Sequence, residues 1–440
     1  MLKVIKEKLN SGMGRDVVWT FSIQILIMLC SFAINKLLAS RLSIDDFGQY
    51  NVIKRSVQVL SFVMLAGVGI ALPRYIPLYR NGTPPRRILP LLGASLIYIV
   101  GVSIVVLSLC ILFSSQMQDI VIGEGDNMNL LLIALAYAFI LAMAQYAFAY
   151  YRGMGDFKWY NGSQLAMQLA IILPLVLLPV LTVKNVFISW LIITILLVVY
   201  YLGRELWHHF HFSNLNIPSL RESLHEIIKY SSGRLVADFF QFSLAAFPLI
   251  YISNTQGLQS TAYYSVGITL VTMVTPVFSF MGIILLPYVS QAIAKNEMKS
   301  ANRFITRLFL LYMGSSAFIT MVFYLFISFL TTLFFAESYL VTTDLSRIMI
   351  LAILPQAAYM LYRNTIDAVS VIPYNAIILG ICILAMVVGF TLSTTLTQFA
   401  WVYLAVSILQ GLLSWLTWLT LSRKNSQWNA IFRDNWASDA

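Results

Sequence analysis

Long apolar runs alternate with short polar segments from one end of the chain to the other. Runs of spanning length fall at 17–39, 48–72, 88–113, 128–151, 159–182 and 185–203. They resume at 231–253, 261–286, 304–333, 344–364, 374–393 and 398–420. Each is near or above the ~20 residues that a helix needs to cross a bilayer. The pattern predicts an all-α polytopic membrane protein with twelve transmembrane helices. The first run continues for about 22 residues from Val17, too long for the core of a cleavable signal and right for a span.

Polar positions inside these runs keep helical spacing. Thr20, Gln24, Ser31 and Asn35 fall on one face of the first span, and Asn51, Arg55 and Gln58 on one face of the second. Asn161, Gln164 and Gln168 do the same in the fifth, and Arg234, Asp238 and Gln241 in the seventh. Side chains that lipid rejects either bond between helices or surround a water-accessible cavity. Stripes on several helices together favour the cavity.

A phrase recurs at half the chain length. Gln145, Ala147, Tyr151, Arg152 and Asp156 return as Gln356, Ala358, Tyr362, Arg363 and Asp367, an offset of 211. Tyr50, Val52, Val57, Val63, Ile70, Leu72 and Pro73 return as Tyr264, Val266, Val271, Val277, Ile284, Leu286 and Pro287, an offset of 214. Tyr160-Asn161 parallels Tyr374-Asn375, and Gly14-Arg15 parallels Gly233-Arg234. Six spans per half give both halves one orientation, so two pseudo-symmetric six-helix bundles are expected, related by an axis along the membrane normal. The expected organisation is an N-terminal lobe at 1–203, a cytoplasmic linker at 204–225, a C-terminal lobe at 226–420 and a cytoplasmic tail at 421–440.

Composition and charge agree with this class. Residues are 59% hydrophobic and only 10% charged, against about 25% charged in soluble domains. Mean hydropathy is +0.81. With the N-terminus placed inside, 22 of the 28 basic residues fall in alternate, inward segments. The fourteen-residue outer loop 114–127 has no Lys or Arg and carries Asp119, Glu124 and Asp126. This is the positive-inside pattern, with both termini cytoplasmic. The net charge of +10 thus reads as basic cytoplasmic loops rather than nucleic-acid binding. Cys30, Cys110 and Cys382 lie in apolar runs with no disulfide or metal spacing.

Candidate chemistry is sparse. Lys54 and Arg55 lie about two turns into the second span, where each would cost ~2.5–3.5 kcal/mol at a helix centre. Their repeat counterparts, Ile268 and Thr269, are uncharged. Snorkelling toward outer headgroups is one reading. The favoured one is anion binding in a central cavity, by the planar fork of Arg and the point charge of Lys. Arg234, Lys36, Gln24, Asn35, Gln58 and Arg15 complete the candidate set; Lys36 with Asn35 suits either an outer anchor or the cavity rim. Arg152–Asp156, Arg234–Asp238 and Arg363–Asp367 are spaced i,i+4, as local charge compensation or as a gate between lobes. The His208-His209-x-His211 cluster lacks a carboxylate or Cys at useful spacing and is not read as a metal site. No GxxxxGK[ST], G-x-S-x-G, HExxH or carboxylate pair is present, so neither a cofactor nor an enzyme is expected.

Several short motifs, in order, resemble one family. Asp46-Phe47-Gly48-Gln49-Tyr50 opens the second span and Leu72-Pro73-Arg74-Tyr75 ends it. Tyr151-Arg152-Gly153 ends the fourth. Ala262-Tyr263-Tyr264 and Leu286-Pro287 with Ser290 mark the eighth. The chain is similar to the polysaccharide flippases (O-antigen or capsule type, Wzx-like) of the MOP transporter superfamily. That resemblance implies two bundles around a central cavity in the bacterial inner membrane. It implies transfer of undecaprenyl-pyrophosphate-linked oligosaccharide to the outer leaflet, with membrane lipids and the polysaccharide polymerase and chain-length machinery as partners. Related lipid II flippases place basic residues on helices 1 and 2 for pyrophosphate, a role similar in position to Lys54, Arg55 and Arg15. Those proteins have fourteen spans, and twelve here disfavours a lipid II role.

Two other classes were weighed. A cation-coupled drug or metabolite antiporter of MATE-like or MFS fold is the alternative. The first run contains no acid for coupling, and the loop Arg74 to Arg87 lacks the G-x-x-x-D-R-x-G-R-R pattern of MFS. A glycan polymerase or ligase would show a large periplasmic loop, and every outer loop is short.

Overall fold

The computed structural model describes residues 12–81, 88–123, 127–209, 217–294, 298–370 and 372–423; among them there is no β-strand. A lipid-embedded backbone must satisfy its own hydrogen bonds, and helices do this within one segment. The first half comprises α1 (Gly12–Arg41), α2 (Ile44–Leu65), α3 (Val68–Asn81), α4 (Ile88–Leu112), α5 (Ser114–Val121), α6 (Met128–Met154), α7 (Phe157–Leu177) and α8 (Val183–His209). The chain continues as α9 (Ile217–Ala294), α10 (Met298–Leu325), α11 (Ile327–Phe334), a 3-10 turn (Glu337–Thr342), α12 (Thr343–Ile350), α13 (Ile353–Val369), α14 (Tyr374–Thr391) and α15 (Leu396–Arg423).

Among the described residues ten helical stretches are long and apolar enough to cross a membrane. The number is eleven if Glu337–Ile350 and Ile353–Asp367, bent by 44°, form one span. The stretch Leu235–Thr275 counts once there with 41 residues. Straight, it would extend ~60 Å, about twice the hydrocarbon core. Gly257 interrupts it at φ 82° and ψ 175°, where the hydropathy pattern places the loop between the seventh and eighth runs.

The second run is not one helix. α2 stops at Leu65, Ala66 and Gly67 take left-handed dihedrals (φ 53° and 76°), and α3 starts at Val68. Ala66 is the one non-glycine residue with positive φ among those described. The ninth run likewise divides into α10 and α11, and the tenth into α12 and α13. The outer loop 114–127 holds the short helix α5, and part of the expected linker is already helical. α9 begins at Ile217, and its first turns dock on α3. Tyr79 donates its hydroxyl to Glu226 Oε2 at 2.8 Å, and the Arg74 guanidinium lies 4.4 Å above the Tyr230 ring.

The chain forms two compact units, Met1–Ser265 with Thr331–Leu340, and Val266–Leu330 with Val341–Ala440. In the first, α2 packs on α4, α6 and α8. An aromatic cluster of Phe47, Tyr50, Tyr137, Phe187 and Trp190 fills that junction, with ring centroids 5.7–6.2 Å apart. Such pairs add ~0.5–1.5 kcal/mol each beyond area burial. Gly48 meets main chain: a Cβ there would lie 2.1 Å from Leu258 O. In the second unit α13 packs closely on α15, and Phe390 stacks on Phe399 at 4.6 Å between α14 and α15.

Candidate functional site

Half of the residues of α2 are buried, yet it carries two cations. Asn51, Ile53, Ser56 and Val57 around them are buried, while Lys54 and Arg55 keep part of their surface. Lys54 Nζ sits 5.4 Å from the centroid of the Tyr50 ring, one turn back. Such a ring face attracts a cation without neutralising it. Arg55 donates Nη1–H to Gln58 Oε1 at 3.3 Å, one turn on. Asn51 donates to its own helix at Phe47 O. Lys54 has no carboxylate partner among the described residues.

The other expected cavity residues are spread along the first unit. Lys36 donates to Thr332 O at 2.5 Å and also to Phe335 O. These carbonyls end α11, so Lys36 is a helix C-cap, stabilised by the negative end of the dipole. Arg41 does the same for α7, donating to Leu175 O at 2.5 Å and Leu178 O at 2.6 Å. Gln24 donates to Gln164 at 3.0 Å and Asn161 donates to Thr20 at 2.8 Å. The polar stripes of α1 and α7 thus bond to each other. Asn35, buried, donates to Ser31 O. The side chains of Arg15 and Arg234, like those of His208, His209 and His211 and the tail 424–440, lie outside the described residues.

The repeated phrase sets helix junctions. Asp156 accepts the Trp159 N–H at 3.2 Å and so caps α7. Asp367 accepts from Asn375 Nδ2 at 2.7 Å, and the same amide donates to Arg363 O. Each Asp therefore joins the end of one helix to the start of the next. The contacts that define these junctions are thus the Asp156–Trp159 and Asp367–Asn375 hydrogen bonds. Tyr151 stacks on Trp159 and Tyr362 on Trp418.

Arg152 instead joins Asp238 in one cleft of about 170 Å³, with Gln145, Tyr160 and Gln164, walled by Phe62, Leu65, Phe148 and Ile70. Gly67 and Gly69 line it too, so the cleft opens on the break between α2 and α3. A broken helix leaves carbonyls at one end and N–H groups at the other without intrahelical partners. At membrane depth such backbone persists only in protein or beside a cavity. Gly67 allows the break to pack: a Cβ there would lie 2.9 Å from both the Cβ and the carbonyl oxygen of Ser231. An apolar run containing Ala-Gly gives no sign of this in the sequence.

The family model for polysaccharide biosynthesis proteins matches residues 13–293, well over half of the chain. The chain belongs to this family. No curated protein sequence matches it. Among solved structures, this polysaccharide biosynthesis protein is similar to an inward-facing multidrug resistance MATE family transporter of the MOP superfamily. The TM-score is 0.75 at 12% identity, covering 94% of this chain and 99% of that one. It is similar to a MOP superfamily transporter from Pyrococcus furiosus at TM-score 0.65 and 13% identity, covering 94% of each chain. The Vibrio cholerae MATE transporter VcmN in its bent form gives 0.59 at 14%, covering 97% and 99%. Its fold is that of the MOP transporters, and it is a multi-pass membrane protein.

Proposed function

We propose that this polysaccharide biosynthesis protein is a flippase. It moves undecaprenyl-pyrophosphate-linked oligosaccharide from the cytoplasmic to the outer leaflet of the bacterial inner membrane, for O-antigen or capsule-type glycan. The observation that carries the reading is the adjacent pair Lys54 and Arg55 on a span of a chain in this family. Two neighbouring cations at membrane depth are costly, and the second half does without them. An anion whose charge is spread over two phosphates repays that cost, Arg by a planar fork and Lys as a point charge.

Twelve spans in two bundles, with both termini cytoplasmic, let the headgroup enter from inside while the prenyl tail stays in lipid. The lobes then rock, and Arg152, Asp156, Asp238, Arg363 and Asp367 are the residues proposed to gate that motion. An inside-negative potential contributes ~2.3 kcal/mol per charge per 100 mV to an anion moving outward, so no nucleotide is needed. No catalytic step is assigned to any residue. The MOP fold also serves multidrug transporters, and the Pyrococcus furiosus transporter is described as having a binding pocket of reverse polarity that suggests a different function. On the flippase reading Lys54 and Arg55 supply the positive charge that an anionic headgroup needs.

The test is the double substitution Lys54→Ala with Arg55→Ala. Surface glycan is expected to be lost, and lipid-linked glycan to accumulate on the cytoplasmic side, with the protein still inserted at normal abundance. Normal surface glycan in that variant sinks the assignment.

A further inference from the structure

The two copies of the repeated glutamine end in different situations. Gln356 donates Nε2–H to Tyr403 Oη at 2.9 Å and to Ser407 Oγ at 3.4 Å, closing that site within the second unit. Gln145, its counterpart, lines the cleft beside the α2–α3 break and makes no hydrogen bond among the described residues. The same holds for the Arg152 guanidinium and the Tyr160 hydroxyl in the same lining. Three polar groups of one lining, Gln145 and Tyr160 half-buried and Arg152 exposed, thus have no hydrogen-bond partner among the described residues. Polar groups that water reaches in a cleft can exchange that water for the hydroxyls of a ligand.

The backbone differs between the halves as well. At the positions matching Ala66 and Gly67, Phe280 and Met281, α9 runs on without a break. The break beside the cleft is therefore a feature of the first half, with Ala66 held at a left-handed φ.

Its size and chemistry restrict the occupant. About 170 Å³ is well below the ~300–1,000 Å³ of drug-sized sites. One guanidinium and one carboxylate leave the lining formally balanced, unlike a phosphate site. Two carboxamides and a phenol supply donors and acceptors, and Phe62, Phe148, Leu65 and Ile70 supply apolar wall. That mixture matches a single sugar ring, with hydroxyls at its rim and C–H groups on its faces.

We propose that this cleft is a subsite for one sugar ring of the transported headgroup, separate from the α2 cations that hold the pyrophosphate. The inference rests on the flippase reading. It assigns glycan selectivity to Gln145, Arg152 and Tyr160, and carrier binding to Lys54 and Arg55.

The test uses the full chain in nanodiscs and two lipids: the lipid-linked glycan that accumulates in a strain deleted for this protein, and undecaprenyl pyrophosphate without sugar. Wild type is expected to bind the glycan lipid about 10-fold tighter, the discrimination that about one net hydrogen bond supplies. Gln145→Leu should bring that ratio close to one while leaving affinity for the bare carrier unchanged. Tyr160→Phe, which keeps the ring, should lower the ratio part-way. Gln356→Leu should lower thermal stability and leave the ratio intact. Equal binding of the two lipids by wild type overturns the subsite and leaves the flippase reading standing. So does a ratio that survives Gln145→Leu, or a Gln145→Leu loss shared equally by both lipids in a protein of normal melting temperature. A wild type that binds neither lipid overturns the flippase reading and the subsite with it.

Discussion

At the scale of single residues, the basic side chains in the spans divide into two kinds, and hydropathy does not separate them. Lys36, Arg41, Lys54 and Arg55 all stand out in apolar sequence. Lys36 and Arg41 spend their charge on carbonyls that end α11 and α7. The Lys36 partners lie nearly three hundred residues away, which no local pattern reveals. Lys54 has only an aromatic face beside it. The two kinds respond oppositely to removal. Lys36→Met strips a cap and leaves carbonyls unsatisfied, so it should cost ~1–2 kcal/mol and lower the melting temperature in detergent. Lys54→Met removes a half-buried charge that has no carboxylate partner among the described residues, so the melting temperature should hold or rise while export falls, a stability–function trade. Equal destabilisation by both would make Lys54 structural and remove the basis for its role.

At the scale of elements, the apolar runs were readable in the sequence because spanning helices are defined by length and composition. Their breaks were not. Ala66-Gly67 sits in an uninterrupted apolar run, and only backbone geometry shows that α2 ends there. The glutamine copies make the same point: Gln145 and Gln356 share a motif, and their partners, not their types, distinguish them. Two substitutions test whether the break is built in. Gly67→Val needs a side chain at φ 76° against Ser231, and should lose ~1–3 kcal/mol. Ala66→Gly relieves a left-handed alanine and should leave stability unchanged or raise it by up to ~1 kcal/mol. Melting temperatures of the two variants decide it, since in a continuous α2–α3 helix glycine at 66 would weaken the protein and valine at 67 would lose its penalty.

At the scale of the whole molecule, span number governs the side on which every loop lies. The positive-inside pattern requires an even count with both termini inside. Ten apolar stretches are recognised by length and composition, and Leu235–Thr275 is one of them. If that stretch were a single tilted span, every basic segment after it would move to the outer face, against the charge pattern. Division at Gly257, with α12 and α13 together as one bent span, restores the even count and puts residue 255 outside and residue 229 inside. Both positions are exposed, and of the native cysteines Cys110 and Cys382 are buried and Cys30 is half-buried. In a background with Cys30→Ser, Thr255→Cys should react with a membrane-impermeant maleimide in intact spheroplasts. Lys229→Cys should react only after permeabilisation. Labelling of both residues in intact cells, or of neither, would mean that Gly257 does not turn the chain at the outer face, and the two-bundle arrangement of six spans each would have to be redrawn.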